Sequence, residues 1–446
     1  MRTNVARNAA CPVVESASLG ALERRFEGRI EINPDLDRQL VSFQANAAVP
    51  PYSWFKYREG FSAALVHYLL CRCGGSAGRL LDPFAGSGAA LFASAAAGWR
   101  ATGIELLPIG HFVGRARLAV QHVERQAFER VIEVVLGDDF SRRHEPAFAF
   151  PHIRITRGAF SPQAEQEIAG YRAVSEAATK DPHVRTLLSF ACFSVLESVS
   201  FTRKDGQYLR WDTRSGRGRG TKGFTKGNIP PFRNAIEAKL RTIAGDIRSG
   251  LDGGSAAVRP TIHTGDVQLM DGSCLERLPK LPSRSVDLVI TSPPYCNRYD
   301  YTRTYALELA YLGFNDDQVK ALRQRMLSCT VENKQKREEL RALYDEMDRA
   351  DVYNHITDSV DGHEALRTVV ATLESYRDAG KLNNRNVPTM VQNYFFEMAV
   401  VIKELARILC PGGRVFMVND NVRYGGTAHP RRPDLICLCR VVRIGR

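Results

Sequence analysis

The sequence of 446 residues contains no apolar run of the roughly eighteen residues a membrane-spanning helix needs. Its opening stretch, MRTNVARNAACPVVESASLG, holds no apolar run of signal-peptide length, so a cytoplasmic location without membrane association is expected. The ten cysteines include no CxxC pair. Cys71/Cys73 and Cys437/Cys439 are CxC pairs with no second cluster of matching spacing, and the histidines form no HExxH, so no metal site is expected and the thiols read as reduced and mostly buried. Negative charge is also short: 49 Asp and Glu face 61 Lys and Arg, for a net charge of +12. Such an excess points to a polyanionic partner, with nucleic acid first and an anionic membrane surface second.

What is present is an α/β pattern with interruptions. A short strand at Arg79-Leu-Leu enters DPFAGSGAALFASAAAG (82–98), a glycine turn followed by an Ala-rich helix, and a second strand runs from Arg100 to Glu105. Residues 106–140 and 163–201 read as mainly helical, and a further helix is expected over Phe232–Ile247. Between them, 203–228 is broken by glycines and carries eight Lys/Arg against two Asp. Strands return at Asp266–Met270 and Asp287–Thr291. Residues 299–313 look helical, 316–385 is a charged and largely helical stretch, and the pattern closes with a helix near Tyr394–Leu409 and a strand over Arg414–Val418.

Two stretches carry chemistry. In LLDPFAGSGAAL, Gly86 and Gly88 sit where a strand becomes a helix and allow a ligand to approach the backbone. Glu105 ends the next strand 17 residues past Gly88, where a carboxylate can accept hydrogen bonds from ribose hydroxyls. No Lys-Ser/Thr follows the glycines, which excludes a phosphate-gripping P-loop, and the full GxGxxG of dinucleotide folds is absent. The ligand implied is a nucleoside without a pyrophosphate, and S-adenosylmethionine fits. The second stretch is Ser292-Pro293-Pro294-Tyr295, a rigid clip placed directly after an apolar strand. Tyr295 can stack on a flat heterocycle, while the Ser292 hydroxyl and the Pro293 carbonyl can accept the two hydrogens of an exocyclic amine. A base inside a duplex must be flipped out to reach such a clip.

At these residues the chain closely resembles the amino-group DNA methyltransferases, which methylate cytosine N4 or adenine N6. DPFAGSG (82–88) is similar to that family's cofactor motif, TSPPY (291–295) to its catalytic motif, and VPPYSWFKYREGFSAALV (49–66) to the segment that packs against the methionine end of the cofactor. The resemblance implies a Rossmann-like S-adenosylmethionine-dependent methyltransferase fold of α/β class with mainly helical insertions. It also implies roles: Asp82, Phe84, Gly86 and Gly88 on the methionine side of the cofactor, Glu105 on the ribose, and Ser292, Pro293, Pro294 and Tyr295 on the target base. The adenine-contact segment reads Asp271-Gly-Ser273, which leaves open whether Asp271 or Ser273 meets the adenine. Serine in the first clip position leans the target toward cytosine N4, with adenine N6 as the alternative. Cytosine C5 chemistry would need a cysteine nucleophile, usually in a Pro-Cys pair, and no Pro-Cys dipeptide occurs. An RNA amine methyltransferase and a non-catalytic DNA-binding protein on this scaffold are further alternatives.

The expected division is an N-terminal extension (1–41), a cofactor-binding part (42–140), an insertion that is the candidate DNA-recognition region (141–260), a catalytic part (261–315), a helical insertion (316–385) and a C-terminal part (386–446). The expected DNA contacts are Arg203, Lys204, Arg210, Arg214, Arg217, Arg219 and Lys222, interleaved with Tyr208, Trp211 and Phe224. Double-stranded DNA is the expected partner, and because no nuclease motif is present, cleavage would fall to a separate restriction endonuclease. The end of the chain offers one plausible strand, Leu435–Ile444, where the resemblance implies a helix and a closing hairpin, so a C-terminus truncated or altered relative to that family is expected.

Overall fold

The computed structural model describes residues 17–74, 77–205, 208–217, 223–249 and 266–419. Seven strands are present among them: β1 Arg79–Asp82, β2 Arg100–Glu105, β3 Thr202–Asp205, β4 Tyr208–Trp211, β5 Val267–Asp271, β6 Val286–Thr291 and β7 Leu409–Met417. Five form one parallel sheet in the order β5-β2-β1-β6-β7, and β3 and β4 form a separate antiparallel ribbon. The chain lays down β1, then builds outward through β2 and β5, then returns to the other side of β1 with β6 and β7. The switch point therefore falls between β1 and β6, where open α/β sheets hold ligands at their carboxyl edge. This is a Rossmann-like α/β fold.

The strands are apolar because both sheet faces are covered. Leu80, Leu81, Leu288, Val289 and Ile290 are all at most 1% exposed. On one face lie the helices Ala63–Cys73 and Ala89–Ala96; small side chains let the second sit close to β1 and β2, and all seven of its residues from Ala89 to Ala95 are buried. The long helix Val387–Ile408 builds a second core with Cys274–Arg277 and the helices of 337–378. Ion pairs to two buried carboxylates fix that attachment: Lys336 with Glu397 at 3.0 Å, and the partly exposed Arg349 with Glu404 at 2.5 Å. A third core joins Pro108–Ala119 and Ala306–Tyr311 to Arg125–Gly137, Pro162–Ala178, Pro182–Val199 and Phe232–Ser249. Most of 141–249 thus shares a core with helices that flank the sheet.

The last helix starts at Val387 rather than Tyr394, and two strand elements also differ from the sequence expectation. The last strand starts five residues earlier than Arg414, because Leu409 already pairs with Val286 before the turn Cys410-Pro-Gly-Gly bulges out and Arg414 pairs with Leu288. The basic segment after Phe201 is not an irregular loop at its start but the ribbon β3–β4, in which Arg203 faces Arg210 across the strands. Residues 420–446, including the expected strand Leu435–Ile444 and the short C-terminal end, lie outside the described residues, as do Arg219 and Lys222. No helix among the described residues is long and apolar enough to cross a membrane.

Candidate active site

β1 and β6 end side by side, and one hydrogen bond joins their tips: the Thr291 hydroxyl donates to Asp82 Oδ1 at 2.6 Å. Both residues are buried. The same Asp82 oxygen accepts the Phe84 backbone N–H at 3.0 Å, which turns the chain into the glycine turn. Burial pushes the Asp82 carboxyl up to about 7, against the opposing pull of those two donors.

The turn is built around Glu105. Its two carboxylate oxygens accept the backbone N–H groups of Gly86, at 2.5 Å, and Leu107, at 2.6 Å. Gly86 has φ +52°, and at Gly110 a Cβ would lie 2.3 Å from the Gly86 carbonyl oxygen, so glycine is required at both positions. Burial raises the Glu105 carboxyl above its usual range, while the two amides pull the other way. Each of its oxygens keeps a second acceptor direction for a hydroxyl.

Around this turn opens a cleft. Its walls bring together Phe84, Gly86, Glu105, Ser273, Ser292 and Pro294, residues more than two hundred positions apart in the chain. Asp82 and Gly88 stand behind the lining, the first in the β1–β6 bond and the second as N-cap of the helix Ala89–Ala96. Of the two residues left open for the adenine contact, Ser273 is buried and lines the cleft, with its hydroxyl accepting the Leu275 N–H at 3.3 Å. The Asp271 side chain is 79% exposed and lies 3.6 Å from His111, outside the lining. In the clip, Pro293 is buried, Pro294 lines the cleft, and the Ser292 hydroxyl sits 3.3 Å from the Tyr295 hydroxyl.

Several contributors carried no clear sequence signal. Tyr57 and Glu59 come from the aromatic segment 49–66, quoted above only as a block, and Tyr57 rests against Gly86. Met326 and Leu327 reach the cleft from the 316–385 stretch, their one signal being an apolar pair amid charged neighbours. The donor set suits a cationic nucleoside: Glu59 and Glu105 are the charged side chains of the lining, and no Lys, Arg or His lines it among the described residues. A pyrophosphate would find no cation there. Cys274 also lines the cleft, but burial pushes its thiol far above the ordinary range, which keeps it from serving as a nucleophile.

On the ribbon, strand alternation separates the basic residues. Arg203 and Arg210 point outward and share the ring of Phe224, at 5.8 and 4.6 Å, and Arg217 lies over Trp211 at 4.4 Å. Lys204 points inward and corrects the sequence expectation: it is 2% exposed, its ammonium is 2.5 Å from Glu308, and it is not available to a phosphate. Arg214 is half-exposed but clamped to the buried Asp212 at 2.7 Å, and the hydrogen bonds it donates hold that carboxyl well below the usual range.

No family model matches the chain, and no solved structure matches it. Among curated proteins it is 42% identical over 414 residues to the type II methyltransferase M.AvaI of Nostoc sp., covering 91% of this chain and 81% of that one, and equally so to M.AvaI of Anabaena variabilis. It is 36% identical over 423 residues to the type II methyltransferase M.BsoBI of Geobacillus stearothermophilus, covering 92% and 81%. The chain belongs to the type II DNA methyltransferases.

Proposed function

We propose that this methyltransferase transfers a methyl group from S-adenosylmethionine to the exocyclic N4 of a cytosine flipped out of double-stranded DNA, within a restriction-modification system whose cleavage is done by a separate endonuclease. The observation that carries the reading is the Thr291–Asp82 bond, which sets the clip and the glycine turn on one cleft. S-adenosylmethionine supplies an activated methyl on a positively charged sulfur. Phe84 and Gly86 would bound its methionine side, Glu105 its ribose hydroxyls and Ser273 its adenine. Tyr295 would stack on the base, and Ser292 and the Pro293 carbonyl would accept the amine hydrogens, turning the nitrogen lone pair out of conjugation. No covalent enzyme intermediate is required, so positioning of donor and acceptor supplies much of the rate.

The exterior of the ribbon supports a DNA partner. Arg203 and Arg210 lie directly opposite each other on adjacent strands, with Arg210 also 3.1 Å from Asp205, and a phosphate between the two guanidiniums adds a partner for both. Arg203, Arg210 and Arg217 are the proposed contacts. The test is incubation with methyl-labelled cofactor and duplex DNA, single-stranded DNA or transfer RNA in parallel. Label in duplex DNA alone is the expected result. Label chiefly in RNA, or none in any nucleic acid, contradicts the reading.

A further inference from the structure

We propose that Glu59 is the residue that recognises the positive charge on the cofactor's sulfur and so lets the site distinguish the methyl donor from the neutral thioether left after transfer; this rests on the function proposed above. Glu59 lines the cleft, and its two carboxylate oxygens accept hydrogen bonds from the hydroxyls of Tyr299 and Tyr305. Hydroxyl donors on both oxygens fix the direction of the carboxylate. The neighbouring cation does not neutralise it: Arg58 donates to the Lys204 carbonyl at 2.6 Å and pairs with Glu197 at 3.4 Å.

The position is specific. Two residues before Glu59, the Tyr57 ring lies against Gly86 in the glycine turn and stacks on Tyr305 at 5.4 Å. On the other side, Tyr299 follows the clip by four residues. Glu59 is therefore held between the turn that takes the cofactor and the clip that takes the base. The part of the cofactor that must span that gap is the sulfur with its methyl group. The other cleft carboxylate, Glu105, takes two backbone amides of the turn, and in the proposed function its remaining acceptor directions serve the ribose hydroxyls. A charge balance follows: an ionised Glu59 gains a cation when the donor binds, and loses it when the sulfur becomes neutral.

The test is calorimetric binding of S-adenosylmethionine and S-adenosylhomocysteine to the full chain without DNA, for the wild type, Glu59→Gln and Glu59→Asp. For Glu59→Gln the donor affinity is expected to fall roughly five- to tenfold, the scale of one partly buried charge pair, with thioether affinity changed by less than about twofold. Glu59→Asp should keep most of the preference. Because both ligands are measured on one preparation and stoichiometry reports the folded fraction, partial misfolding does not alter the ratio. Equal weakening of both ligands, as a contact to the amino acid end would give, or no change in either, overturns the inference while leaving the proposed function standing. A wild type that binds neither ligand overturns both.

Discussion

Thr291, the last residue of β6, donates its hydroxyl to Asp82, the last residue of β1, at 2.6 Å across the switch point of the sheet. The bond is buried, and it joins the Ser-Pro-Pro-Tyr clip to the glycine turn. It also places a carboxyl where ionisation is costly. The unfolded chain gives up the Asp82 proton near its ordinary value of 3.8, while the folded chain keeps it until about 7. The folded chain holds the extra proton between those values, so its stability falls as pH rises through that window and levels off above it, by about 4 kcal/mol in all. Denaturant unfolding of the wild type and Asp82→Asn from pH 4.5 to 8 checks this. The difference between the two should shrink in the wild type's disfavour up to pH 7, and parallel curves would remove the buried carboxyl from the account.

Glu105 binds two backbone amides and offers its remaining acceptor directions to the cleft. Glu105→Ala is expected to weaken cofactor binding by about 1.5–3 kcal/mol, the scale of a hydrogen bond to a charged group. DNA binding should persist. A cofactor dissociation constant equal to that of the wild type rules out the ribose role.

Tyr295 stands in the clip beside Ser292 and outside the lining of the cleft. Tyr295→Ala should leave cofactor binding near normal and remove most methyl transfer, since base stacking on an aromatic is worth about 1–3 kcal/mol. Equal loss of cofactor affinity would place the ring elsewhere in the mechanism.

The ribbon separates two kinds of basic residue, and mutation should separate them too. Replacing Arg203, Arg210 and Arg217 together should flatten the dependence of log affinity on log salt by up to about 0.9 per lost phosphate contact, with thermal stability little changed. Lys204→Met should do the reverse, because removing one partner of the buried pair with Glu308 costs about 3–5 kcal/mol. Unchanged salt dependence in the triple variant would move the DNA to another face.

The sheet and the cleft's two poles were legible because strand and turn signals are local: an apolar β-branched run, paired glycines, and prolines that stop a ladder. The strand-ending Glu105 was readable on the same grounds, since its place depends only on the length of one βαβ unit. What the sequence did not show depends on partners far along the chain. Lys204 looked like its basic neighbours until β3 sent it inward toward Glu308, 104 residues later. Glu59 gave no sign of reaching the cleft, because its anchors Tyr299 and Tyr305 lie some 240 residues away. Met326 and Leu327 were hidden for the same reason, inside a charged stretch whose fold against the long helix is set by ion pairs to buried carboxylates.

Amine methylation of a flipped base held by Ser292, Pro293, Pro294 and Tyr295 is the proposed reaction. Methylating plasmid DNA with labelled cofactor, digesting it to nucleosides and identifying the labelled one tests it. The expected product is 4-methylcytosine, with loss of that label in Tyr295→Ala. Label in 6-methyladenine would keep the amine chemistry and overturn the choice of base, and label in 5-methylcytosine would contradict the account at its root.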